Sequence, residues 1–168
     1  MIYIETDSNN VYFNFATEHY FLHEKILGEN LFLFWRTTPT LMVGKHQNIT
    51  SEINLKYANE HNITIARRPS GGGTIYTDDG SWQYSYIMPH IRYEEINFKE
   101  NSSAVIGALN RLSVPASFNE LNDILIRSKK YQVPLAAFQK TGSFIMDLCF
   151  MIPISTKWYV LTPWIMKK

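Results

Sequence analysis

Two adjacent arginines lead, through Pro69 and Ser70, into three consecutive glycines, in the run Arg67-Arg68-Pro69-Ser70-Gly71-Gly72-Gly73-Thr74-Ile75-Tyr76. Glycine loses more backbone entropy on folding than any other residue, so such a run weakens an ordered domain unless the backbone itself is needed there. What the glycines supply is N–H groups unobstructed by Cβ atoms, able to come close to phosphate or carboxylate oxygens. The neighbouring guanidinium groups carry permanent charge in a fork geometry that suits the same oxygens. The residues alone leave two readings open: an anion cradle, or a glycine-rich turn beside two surface arginines.

The flanking residues bear on that choice. A β-like segment, Ile63 to Ala66, precedes the run, and Ile75-Tyr76 and the tight-turn signal Asp78-Asp79-Gly80 follow it. Because a turn already follows, the glycines are expected to sit between strand-like pieces without being needed to reverse the chain. The run matches neither the dinucleotide fingerprint G-x-G-x-x-G nor the phosphate loop G-x-x-x-x-G-K-[ST].

The 168 residues, 45% hydrophobic, are enough for one globular domain with a real core. A net charge of +1 gives no reason to invoke nucleic acid or an anionic membrane. No apolar run approaches the roughly 20 residues of a membrane-spanning helix, and Met1 to Glu5 lack the pattern of a signal peptide, so the cytoplasm is the expected compartment. Cys149 is the only cysteine and cannot form an internal disulfide, and the five histidines show no metal-ligand spacing.

Periodicity predicts helices over Asn9–Ile26, with Ser8 and Asn9 as caps, Ser51–His61, and Ser102–Leu112, where Val105, Ile106, Leu109 and Leu112 share a face. In the first, the apolar residues are Tyr12, Phe15, Ala16, Tyr20 and Leu22. Strands are predicted at Leu31–Trp35, Leu41–Gly44, Ile63–Ala66, Gln83–Met88 and Ile124–Ile126. Helices and strands are interspersed without strict alternation, which predicts an α+β fold with a mixed sheet.

Four segments in order, Thr40-Leu41-Met42-Val43-Gly44-Lys45-His46-Gln47-Asn48, Arg67 to Tyr76, Asp78-Asp79-Gly80-Ser81-Trp82-Gln83-Tyr84-Ser85-Tyr86 and Asn122-Asp123-Ile124-Leu125-Ile126, resemble the catalytic domain of lipoate-protein ligases. The resemblance spans residues 1–130 and implies a mixed β-sheet flanked by helices, a fold shared with biotin-protein ligases. It also implies an enzyme that uses ATP and Mg2+ to make lipoyl-adenylate from lipoate. The lipoyl group then passes to a lysine of a carrier domain, such as that of a 2-oxoacid dehydrogenase or the glycine cleavage H protein.

Carried over by position, the resemblance puts Arg68, Ser70, Gly71, Gly72 and Gly73 against lipoate and the adenylate phosphate, with Thr74, Ile75 and Tyr76 on the nucleotide side. Asn122 and Asp123 match the pair near the phosphates, Asp123 toward the metal, and Lys130 matches the catalytic lysine that contacts the acyl-adenylate. Joining a carboxylate to an α-phosphate brings two anions together, so a site must supply positive charge and N–H donors where charge develops. On spacing alone, Lys129-Lys130 is equally a solvated pair, Asn122-Asp123 a turn opening a strand, and His46 a surface histidine.

The chain departs from the family pattern in three places. Glu120-Leu121 stand where Gly-Arg precedes Asn-Asp, Tyr131 to Leu135 replace a Ser-Gly turn after Lys130, and Met146 to Pro153 replace a His-His-Gly-Thr-Leu segment. Codons compatible with Lys129 to Leu135, read two bases later, give Lys-Ile-Ser-Gly-Thr-Ala, and codons compatible with Ile145 onward give His-Gly-Ser-Leu in the same way. Residues 131–168 therefore read as a divergent tail expected to be poorly ordered, frame-shifted over about 131–136 and from 146 to the end, on a chain expected to lack the family's smaller accessory domain. Activity of the chain as written is in doubt on this reading. The alternatives are a non-catalytic lipoyl or nucleotide binder, and an octanoyltransferase of the same superfamily, for which Cys149 would have to be the nucleophile.

Overall fold

The computed structural model describes residues 1–89, 91, 95, 97–119, 124–126, 129–132, 134–138 and 144–151. Strand β2 (Leu31–Arg36) sets the architecture because its side chains alternate strictly between two environments. Leu31, Leu33 and Trp35 are buried in the main core with Val11, Leu22, Leu27, Met42, Ala66 and Ile87. Phe32, Phe34 and Arg36 face the other way, where Phe34 stacks on Trp82 at 4.4 Å and the Arg36 guanidinium also lies 4.4 Å from the Trp82 ring.

Around β2 a five-stranded mixed sheet forms in the order β1-β2-β6-β11-β10, from β1 (Ile2–Glu5), β6 (Ser81–Met88), β10 (Pro134–Phe138) and β11 (Phe144–Met151). Only β1 and β2 pair in parallel; the other pairs are antiparallel. A second, three-stranded sheet has β3 (Thr40–Val43) at its centre, parallel to β4 (Thr64–Arg67) and antiparallel to β5 (Ile75–Thr77). All four residues of β3 are buried, as expected of a strand covered on both faces. Met42 and Ala66 pack into the main core, while Leu41 and Val43 pack with Ile53, Ala58, Ile63 and Tyr76. A hydrogen bond between the Thr37 and Thr77 hydroxyls, 2.7 Å, ties the end of β2 to β5. The third sheet runs β7 (Ala116–Phe118), β8 (Ile124–Ile126), β9 (Lys129–Gln132). The expected α+β class with mixed sheets and flanking helices is what the chain adopts.

Helix α1 (Val11–His19) is shorter than the periodicity predicts and continues as one π-helical turn, Tyr20–Glu24. Its cap is Asn10, whose Oδ1 accepts from the N–H groups of Tyr12 and Phe13, while Ser8 only supports Asn10 through a 3.2 Å bond. Of its predicted apolar residues Leu22 is buried and Phe15 packs against the core, but Tyr12 and Tyr20 are exposed, and Val11, Asn14 and Glu18 are buried. The two polar residues are tolerated because they are bonded. Asn14 Nδ2 donates to the carbonyls of Ser8 and Arg36, Thr6 donates to Asn14 Oδ1, and Ser85 donates to Glu18 while accepting from Trp35 Nε1 at 3.0 Å. Tyr12 uses its hydroxyl to reach the Ile65 carbonyl of β4 at 2.9 Å. Asn10→Ala is expected to lower stability by about 1 kcal/mol, the usual cost of losing such a cap, read as a fall in the urea midpoint with an unchanged slope.

The helix predicted over Ser51–His61 is two short ones, α2 (Ile49–Glu52) and α3 (Leu55–Glu60). Asn48 and Asn54 each cap the start of one, and between them Ile53 is extended with its side chain buried. Each asparagine offers first-turn N–H groups a local partner, which favours two starts over one continuous helix. Helix α4 (Phe98–Arg111) begins earlier than predicted because Asn97 Oδ1 accepts from the Glu100 N–H at 3.1 Å; Leu112 lies past its end and is 75% exposed. No helix among the described residues is long and apolar enough to cross a membrane.

Candidate functional site

The Arg-Gly loop lies where β4 hands over to β5. Since these strands flank β3 with opposite directions, residues 68–74 do reverse the chain, over the end of β3 rather than as a hairpin. This differs from the expectation that the glycines play no part in reversal: Asp78-Asp79-Gly80 makes the separate turn into β6, with Ser81 N–H donating to the Asp78 carbonyl. Gly72 has φ of 90°, a region that residues with a Cβ rarely adopt.

Below this loop lies a second one, residues 44–47. A Cβ on Gly44 would stand 1.9 Å from the Gly72 carbonyl oxygen, so the two backbones meet only because residue 44 is glycine. The Lys45 N–H donates to the Ser70 carbonyl and the Arg68 N–H to the Val43 carbonyl, each at 3.0 Å.

Both arginines hold this loop pair together. Arg67 Nη1 contacts the carbonyls of Gly44, Lys45 and Gln47 at 2.8 to 3.1 Å, capping the lower turn. Arg68 is only 2% exposed; its Nη1 donates to the Met42 carbonyl at 2.7 Å, its Nε and Nη2 to the Gly71 carbonyl, and its Nη2 to the Gly73 carbonyl at 2.5 Å. The carbonyls of Gly71 and Gly73 are thus bound to a cation, while among the described residues the N–H groups of Gly71, Gly72 and Gly73 donate to no hydrogen bond. A Cβ built on Gly71 or Gly73 meets nothing within 4 Å. Open space, undonated amides and two nearby positive charges are what binding an oxyanion would require.

Ser70 and Thr74 bracket the glycines. Ser70 is 1% exposed, and among the described residues its Oγ has no hydrogen-bond partner. A buried hydroxyl without a partner is costly, and a ligand oxygen would satisfy it. Thr74 is buried, with its hydroxyl 3.2 Å from Gln47 Oε1 and 3.4 Å from Glu52 Oε2. Ile75 packs against the main core and Tyr76 is buried with Leu41, Val43 and Ile53.

Of the residues expected at the site, Arg68, Ser70, Gly71, Gly72, Gly73 and Thr74 therefore come together. Asn122 and Asp123 lie outside the described residues, and Lys130 is in β9, its Cα paired with Leu125 across to β8. Sequence reasoning missed Gly44 as the contact between the loops and Gln47 and Glu52 as the partners of Thr74. The signal was the proximity of Gly44 and Gln47 within the first motif segment, but which loop they would touch depends on β3 lying between β4 and β5.

The family model described as lipoyl protein ligase A/B catalytic domain matches residues 10–134. "Probable lipoate-protein ligase A" of Mycoplasma pneumoniae is 37% identical over 133 residues, covering 77% of this chain and 39% of that protein. "Lipoate-protein ligase LplJ" of Bacillus subtilis is 35% identical over 131 residues, covering 77% of this chain and 40% of that one. The match thus spans about two fifths of each relative's length. Among solved structures, LipL1 of P. falciparum in complex with lipoate superposes with a TM-score of 0.83 at 24% identity, covering 95% of this chain and 50% of that one. A bi-partite lipoate protein ligase from Thermoplasma acidophilum, described with its E2 lipoyl domain, gives 0.84 at 23%, covering 96% and 65%. A lipoate-protein ligase A bound with ATP gives 0.83 at 22%, covering 96% and 70%. At these identities the structural likeness establishes the fold.

Proposed function

Because the chain belongs to the lipoyl protein ligase A/B catalytic domain family, we propose that it binds lipoate and ATP at the Arg-Gly loop and joins them as lipoyl-adenylate. The observation that carries this reading is the cradle itself: undonated glycine amides and the buried Ser70 hydroxyl above two arginines. A lipoate carboxylate oxygen attacks the α-phosphate, the bond to the bridging oxygen breaks, and pyrophosphate leaves. The amides of Gly71 to Gly73 and the Ser70 hydroxyl would hold the anionic oxygens in place, offsetting their mutual repulsion. Arg68 would act through the loop, since its bonds to Gly71 and Gly73 aim the peptide units.

In the second step a lysine amine of a carrier domain attacks the lipoyl carbonyl, and AMP departs. The carrier would be that of a 2-oxoacid dehydrogenase or the glycine cleavage H protein, and the setting the cytoplasm. Lys130 would contact the acyl-adenylate, with Thr74, Ile75 and Tyr76 on the nucleotide side and Asn122 near the phosphates. Asp123 is the residue proposed to hold Mg2+, which would screen phosphate charge. In the same reading residues 1–130 belong to the catalytic domain and 131–168 are a divergent tail.

The test incubates the chain with lipoate, ATP and magnesium, measuring pyrophosphate release and the mass gained by an added lipoyl domain. Release followed by a lipoyl mass increment is the expected result for a chain carrying the Ser-Gly and His-Gly segments in place of Tyr131–Leu135 and Met146–Pro153. The chain as written should release much less, because a misplacement of about 1 Å can cost on the order of a hundredfold in rate. Binding of both ligands with no release from either version would favour the non-catalytic binder, and no binding of lipoate or ATP would overturn the reading.

A further inference from the structure

We propose that Lys45 is a phosphate-binding residue, its ammonium meeting the anionic oxygens of a nucleotide lying on the glycine loop. The inference rests on the proposed ATP site and deepens it, because it names a cation that the resemblance leaves without a role.

The arginines that first suggest an anion site are engaged elsewhere. Arg68 directs its donors at the carbonyls of Met42, Gly71 and Gly73, and Arg67 sits among those of Gly44, Lys45 and Gln47. Each guanidinium still contributes positive potential, but carbonyl oxygens lie against Nε, Nη1 and Nη2 of Arg68 and against Nη1 of Arg67, and these repel an incoming phosphate on those sides. Their geometry orients the two loops, and a cation that holds no carbonyl is better suited to direct contact.

Lys45 is placed for that contact. It follows Gly44, whose backbone touches the Gly72 carbonyl, and its own N–H is bonded to the Ser70 carbonyl at 3.0 Å. Its carbonyl is held by Arg67 Nη1 at 3.1 Å. Both ends of its peptide frame are therefore tied at the foot of the cradle, while the side chain is exposed and makes no ion pair among the described residues. The loop bonded to Lys45 at Ser70 carries the undonated amides of Gly71 to Gly73, with open space where Cβ atoms on Gly71 and Gly73 would be. A lysine ammonium is a compact, mobile point charge, suited to following phosphate oxygens as the group changes shape.

The experiment measures ATP affinity by calorimetry for the full chain, Lys45→Gln and Lys45→Arg, at low and high salt, with lipoate alone titrated in parallel. Lys45→Gln is expected to weaken ATP binding roughly tenfold, the scale of one charge-assisted hydrogen bond, and to flatten its salt dependence. Lys45→Arg should restore most of that affinity, and lipoate affinity and the thermal midpoint should hold in both, since the backbone makes the structural bonds. If Lys45→Gln binds ATP as tightly as the unaltered chain, the assignment is wrong while the ATP site stands. If the unaltered chain binds neither lipoate nor ATP, the proposed function and this assignment fall together.

Discussion

Arg68→Ala is expected to be the most damaging single change near the loop, lowering stability by on the order of 3 kcal/mol and abolishing ligand binding with it. The side chain is 2% exposed and its removal strips bonds from three carbonyls, those of Met42, Gly71 and Gly73. Those carbonyls would be left with no replacement donor in a space the size of a guanidinium. Arg68→Lys should recover only part of the loss, because one ammonium cannot reproduce a planar fork that reaches β3 and two loop positions together. Urea unfolding followed by circular dichroism gives the stability, and lipoate titration the binding. A variant with wild-type stability that has lost only ligand affinity would show that Arg68 contacts the ligand and does not organise the loop.

The second large effect separates glycines that serve the fold from glycines that serve the ligand. Gly44→Ala places a Cβ 1.9 Å from the Gly72 carbonyl oxygen and 3.0 Å from its carbon, both backbone atoms, so the two loops must move apart. Overpacking of this kind costs about 1–3 kcal/mol, and the Lys45 to Ser70 bond would be lengthened with it. Gly71→Ala and Gly73→Ala meet nothing within 4 Å, so their thermal midpoints should stay near that of the unaltered chain. Their methyl groups project into the space assigned to the ligand, and affinity for ATP or lipoate should fall roughly tenfold. If Gly71→Ala and Gly73→Ala bound normally, the loop would be a turn with no ligand against it. An undisturbed Gly44→Ala would mean that the loops are not in contact.

Local pattern carried much of the architecture. The apolar run Leu31 to Trp35 was legible as a strand, though not which of its side chains face the core, and the Asp-Gly pair at 79–80 as a tight turn. Helix α4 was visible from the spacing of Val105, Ile106, Leu109 and Leu112, though its start depended on Asn97, a cap that apolar periodicity does not detect. Helix α1 was misread in its orientation because hydrophobicity pointed to Tyr12 and Tyr20, whereas the buried positions include Asn14 and Glu18. Polar residues can be buried when partners arrive from elsewhere in the chain, and those partners, Arg36 and Ser85, are remote in sequence.

The same division applies to the site. By itself the sequence determined that residues 67–76 have the composition of an anion loop: glycine and arginine have those capacities in any surroundings. It also carried the family pattern from the first motif segment through the loop. Only the tertiary structure decided what each group does. Strand β3 lies between β4 and β5, bringing Gly44 under Gly72, and the loop carbonyls that result turn toward both arginines. A guanidinium binds whichever acceptors the fold presents, and carbonyl positions follow from backbone dihedrals and non-local strand pairing. Residue type therefore specified the charge of this segment, and chain topology specified which of those charges hold the two loops together.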